Sequence, residues 1–129
     1  MKIRGGSASD IGSVRNVNQD AVCYRYLKQG KEELALCAVC DGVGGLEHGE
    51  RASAFLVQRM EAWFEEVISW LAIPETETEV LFSHLKDGIE CWNEELCQMC
   101  RRENLRTGST LSLLLLIRHR YYIVHVGDS

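Results

Sequence analysis

The sequence predicts an α+β domain, and three observations predict it. A run of strand length, Leu34–Cys40, is almost wholly apolar. Two long helical patterns follow, separated by the lone proline, Pro74. The chain then closes on two short β-type runs around a polar turn. The 129 residues suit one domain, spanning 1–129.

Each element has a local reason. Gly5–Val17 is polar and rich in glycine, so it reads as extended or irregular. Ala21–Leu27 carries Val and Tyr and reads as a strand. Lys28–Glu33 is a polar turn around Gly30. Leu34–Cys40 is apolar at nearly every position, which predicts a strand buried on both faces. It stops at Asp41-Gly42-Val43-Gly44-Gly45. Ala52, Leu56, Trp63, Val67 and Trp70 then fall on one face of a helix over roughly Glu50–Leu71. Thr76 and Glu79 have capping-box spacing ahead of a second helix. Leu81, Leu85, Ile89, Trp92, Leu96 and Met99 form its apolar face, which ends near Asn104. Thr110–Ile117, the turn Arg118-His119-Arg120 and Tyr121–Val126 predict a hairpin.

Composition narrows the function. The chain is 46% hydrophobic and 26% charged, an ordinary globular balance that excludes wholesale disorder. Fourteen Lys and Arg against nineteen Asp and Glu give a net charge of −5, which argues against nucleic acid or an anionic membrane as partner. No apolar run approaches the roughly 18 residues of a membrane helix. Lys2 and Arg4 lead into glycine and serine, so no signal peptide is expected. Six cysteines without an export signal read as thiols of a cytoplasmic protein.

Cys37-x-x-Cys40 and Cys97-x-x-Cys100 imitate two halves of a zinc site. Strand alternation puts positions 37 and 40 on opposite faces, and Cys97 and Cys100 follow the core stripe of a helix, so zinc is not expected. His125, inside a strand, reads as a partly buried structural histidine.

The aspartates are placed differently from the glutamates, most of which lie on the helices. Asp20 begins a strand, Asp41 ends one and Asp128 follows one. Strand ends can converge, and converging carboxylates repel unless a cation offsets them. Oxygen-only ligands favour Mg²⁺ or Mn²⁺ over zinc. Asp20, Asp41 and Asp128 are therefore candidates to converge on such a cation. Gly42, Gly44 and Gly45 match neither the dinucleotide fingerprint nor the P-loop. Arg15, five residues before Asp20, has a planar fork suited to phosphate.

Three segments in order resemble the metal-dependent protein phosphatases of the 2C type, bacterial members especially. They are Ser9-Asp10-Ile11-Gly12-Ser13-Val14-Arg15-Asn16-Val17-Asn18-Gln19-Asp20-Ala21; Val39-Cys40-Asp41-Gly42-Val43-Gly44-Gly45 with Gly49-Glu50-Arg51-Ala52-Ser53; and Thr107-Gly108-Ser109-Thr110 with Tyr122-Ile123-Val124-His125-Val126-Gly127-Asp128-Ser129.

The resemblance covers essentially the whole chain but only the N-terminal half of the family's domain. It implies a four-layer α-β-β-α sandwich, here incomplete. It implies Asp20, Asp41 and the Gly42 carbonyl as ligands of a paired Mn²⁺ or Mg²⁺ site, with the two aspartates expected to meet across a cleft, Arg15 as the phosphate-binding arginine, and Asp128 beside an additional metal. The implied reaction is hydrolysis of phosphoserine or phosphothreonine in protein substrates. Many members carry a histidine close after the Asp-Gly pair, whereas here Val43 and Leu46 stand nearby and His48 follows. The family's remaining aspartates lie in its C-terminal half, in a second Asp-Gly segment and an Asp-Asn segment, and the sequence to Ser129 is expected to stop before either. The expected result is an incomplete metal shell and an unpaired sheet edge open to self-association. The alternative is a non-catalytic pseudophosphatase or interaction module.

Overall fold

The computed structural model describes residues 19–43 and 48–127. Arg15 and Asp128 lie outside them.

The elements run β1 (Asp20–Gln29), β2 (Glu32–Val43), α1 (Gly49–Leu71), α2 (Thr78–Glu103), β3 (Gly108–Ser109), β4 (Leu111–Ile117) and β5 (Arg120–Val126). The sheet has the order β1-β2-β4-β5, every pairing is antiparallel, and β3 pairs with the end of β2. Gly30, at φ +62°, makes the tight β1–β2 turn, where a side chain would be strained. Arg118, at φ +57°, takes the same role in the β4–β5 turn.

One sheet face carries the core. Leu34, Leu36, Ala38 and Cys40 of β2 alternate inward, as do Leu111, Leu113, Leu115 and Ile117 of β4. Met60, Trp63, Phe64, Val67 and Leu71 of α1 close over them, and Leu81, Leu85 and Trp92 of α2 join the same cluster. The periodicity identified most of both helical core faces, but Phe64 and Leu71 also enter the core, and Trp70, Ile89 and Met99 are only partly buried. Phe82 of α2 stacks on Tyr122 of β5, with ring centroids 4.2 Å apart. Arg51 donates through two nitrogens to Glu103, each at 3.0 Å, tying the start of α1 to the end of α2.

Four local expectations are corrected. β2 is not buried on both faces: Val39 is 53% exposed and Cys37 is also exposed, because α1 covers only one side of the sheet. Thr76 and Glu79 form no capping box. Helix α2 starts at Thr78 with Glu77 as N-cap and no side-chain cap bond, while the Thr76 amide closes a turn onto the Ile73 carbonyl at 3.1 Å. Cys97 is exposed and Cys100 half-buried, since the last turns of α2 extend beyond the sheet's cover. His125 is exposed on the outer face of edge strand β5, where it bonds Ser112 at 2.9 Å.

The six thiols divide accordingly. Burial pushes the Cys23 thiol up to about 11, helped by the Glu61 carboxylate, and the Cys40 thiol up to about 12, helped by Cys23. Both stay protonated and covered at pH 8. Brief iodoacetamide treatment of the native protein is expected to label exposed Cys97, Cys37 and Cys91 and to spare Cys23 and Cys40 until urea unfolds the chain. Peptide mass spectrometry reads the pattern, and labelling of Cys40 in native protein would contradict the buried β2 face.

Candidate active site

The site begins with strand register. Asp20 and Asp41 are Cα partners in the β1–β2 ladder. Residues directly opposite in an antiparallel pair share a sheet face, with Cβ atoms about 5 Å apart. Cys40 points into the core, so alternation turns Asp41 to the opposite, helix-free face. Asp20 shares that face and is exposed, while Asp41 is half-buried. The two residues are brought together, by neighbouring strands of one sheet and not across a cleft.

Backbone bonds hold both aspartates from below. The Asp41 amide donates to Thr110 Oγ1 at 3.1 Å, and the Thr110 amide donates to the Asp41 carbonyl at 2.9 Å. The Gly42 amide donates to the Gln19 carbonyl at 3.0 Å. That carbonyl belongs to the peptide leading into Asp20. The start of α1 presses directly on this corner. A Cβ built on Gly42 would lie 2.1 Å from the Gly49 carbonyl oxygen and 2.6 Å from that of Gln19. Glycine is therefore required at 42 for close backbone approach, while the positive-φ glycines among the described residues are Gly30 and Gly127. Thr107 Oγ1 lies 3.1 Å from the Val43 carbonyl and 2.7 Å from that of His48, so it joins β2 to the start of α1.

Two directly opposed carboxylates with oxygen-only donors suit a hard cation, which removes the mutual repulsion. Among the described residues, no group of three or more His, Cys, Asp or Glu is placed to hold a metal. The described part of the site thus supplies two carboxylates and the adjoining Gly42 backbone. Glu50, in the first turn of α1, has a buried Oε2 with no hydrogen-bond partner among the described residues. The supporting roles of Thr110 and Thr107 were not legible as chemistry, because each acts on a backbone atom distant in sequence. A cavity of about 410 Å³ near the end of α2, lined by Leu56, Ile89, Leu96 and Leu111, contains no carboxylate and does not include the aspartate pair.

The described residues thus form an α+β domain, an antiparallel sheet with two helices on one face and an aspartate pair on the other. The chain matches the family Protein phosphatase 2C over residues 12–129, and it belongs to that family. Among solved structures, it is similar to a bacterial serine phosphatase variant at 27% identity and a TM-score of 0.75, over 94% of this chain and 52% of that one. It is similar to the catalytic domain of the serine/threonine phosphatase PstP in complex with two manganese ions, at 27% identity and TM-score 0.68, over 94% and 46%. It is likewise similar to PstP/Ppp of Mycobacterium tuberculosis, at 27% and TM-score 0.67, over 94% and 45%. No curated protein matches the chain. The chain spans about half the length of the solved structures it resembles. Among the described residues, no helix is long and apolar enough to cross a membrane.

Proposed function

We propose that the chain carries the N-terminal half of a protein serine/threonine phosphatase active site, acting on phosphoserine or phosphothreonine in protein substrates. The observation that carries this reading is the register that puts Asp20 opposite Asp41 on one sheet face. In this reading Asp20, Asp41 and the Gly42 carbonyl hold Mn²⁺ or Mg²⁺, with Asp128 contributing to a further cation. Arg15 grips two phosphoryl oxygens through its fork and offsets their charge. Mn²⁺ or Mg²⁺ held by these residues would supply Lewis-acid activation of a water as the nucleophile. The chain's own residues do the rest. The opposed carboxylates would hold the cations, and the bonds of Asp41 with Thr110 and of the Gly42 amide with the Gln19 carbonyl fix the backbone that carries them. Membership of the family supports the reaction class, and the two manganese ions of the PstP structure support the choice of cation.

One observation favours a second reading, an interaction module that pairs through its sheet. The helix-free face exposes Val39 at 53%, Tyr121 at 68% and Ile123 at 70%. One experiment separates the two. A form of the protein spanning the whole length of the family's domain is expected to release phosphate from a phosphothreonine peptide when Mn²⁺ is added and to stop when EDTA is added. Absence of Mn²⁺-dependent hydrolysis, together with self-association in sedimentation, would replace the first reading with the second.

A further inference from the structure

Ser53 is an unusual helical serine. It lies in the second turn of α1 and is 1% exposed. A helical serine ordinarily returns its hydroxyl proton to the carbonyl three or four residues back. Those carbonyls, of Glu50 and Gly49, each lie 3.3 Å from Ser53 Oγ. The Gln19 carbonyl lies only 2.7 Å away, across the helix–sheet boundary. A hydroxyl has one proton, and the distances assign it to Gln19.

The acceptor joins both aspartate strands. The Gln19 oxygen already takes the Gly42 amide at 3.0 Å. Its two lone pairs are therefore filled by a donor from the peptide after Asp41 and by a donor from α1. The same carbonyl belongs to the peptide that leads into Asp20. One oxygen thus joins the backbones of both aspartates, and Ser53 is the side chain that fixes its direction. Gln19 is itself 8% exposed, so bulk water is a poor substitute for the lost donor.

We propose that Ser53 is a positioning residue for the cation site: its hydroxyl, acting through the Gln19 carbonyl, sets the spacing of the Asp20 and Asp41 carboxylates. The inference rests on the reading of those aspartates as cation ligands. A role confined to joining helix and sheet would affect folding alone. A positioning role also changes the affinity for the ion, because groups that orient ligands typically alter metal affinity by about 10- to 100-fold.

The test is Mn²⁺ titration of the form spanning the whole length of the family's domain, followed by electron paramagnetic resonance, with circular dichroism confirming that each variant is folded at the titration temperature. Ser53→Ala is expected to weaken Mn²⁺ binding about tenfold. Ser53→Cys, close in size with a weaker donor, is expected to fall between, and it carries the test if the alanine variant does not fold. Asp41→Asn separates the two claims. If Asp41→Asn weakens Mn²⁺ binding while the folded Ser53 variants bind like the parent, the positioning role is overturned and the ligand reading stands. If the parent binds no Mn²⁺, or Asp41→Asn binds as well as the parent, the ligand reading fails and the inference fails with it.

Discussion

Asp41→Asn is expected to lower the Mn²⁺-dependent phosphatase rate of the full-length domain by about a thousandfold, the scale of losing several kcal/mol of cation-assisted transition-state stabilisation. Folding stability is expected to behave oppositely. Asp41 directly faces Asp20, and like charges in that position cost a sheet roughly 0.2–1 kcal/mol. The urea midpoint of the metal-free variant should therefore hold or rise. Asparagine keeps the shape and the backbone bonds to Thr110, so the change removes charge and little else. Loss of activity with stability intact marks a residue kept for chemistry. Full activity in the variant, or a collapse in stability, would assign Asp41 a structural role.

Gly42→Ala is expected to have the largest effect on folding, about 3 kcal/mol or more. The added methyl would sit 2.1 Å from the Gly49 oxygen, 2.5 Å from its carbonyl carbon and 2.6 Å from the Gln19 oxygen. All three are backbone atoms, so no side chain can rotate away. Relief requires α1 to lift from the β1–β2 corner, which would separate Ser53 from Gln19 as well. Gly108→Ala is the control: its Cβ would meet only Val43 Cγ2, at 3.7 Å, an ordinary contact. Urea unfolding of the two variants should separate them clearly. Equal midpoints would show that the Gly42–Gly49 approach is not a tight constraint in solution.

How much of this was legible before any coordinates follows from the range of each interaction. Most of both helical core faces could be read from residue spacing, because helical periodicity lies within one segment. The β1–β2 turn at Gly30 and the β4–β5 hairpin could be read from turn residues and alternation. The capping box at Thr76 could not be trusted, since the chain had a competing turn onto Ile73. The exposure of Cys97, Cys100 and His125 was also hidden, because a residue's spacing does not say where its covering layer ends. β3 was missed: two residues are too few for an alternating signal, and its existence depends on pairing with Gly42 and Val43.

By itself the sequence determined which residue types were available for chemistry, where the two helices and the four longer strands lie, and the order of the three segments that mark the phosphatase family. Only the tertiary structure decided that Asp20 faces Asp41, that Gly42 lies against Gly49, and that a serine in α1 meets the carbonyl before Asp20. The reason is physical. Periodicity and turn chemistry act between near neighbours in the chain, whereas register and close backbone approach are settled only when one packed core satisfies every strand and helix at once.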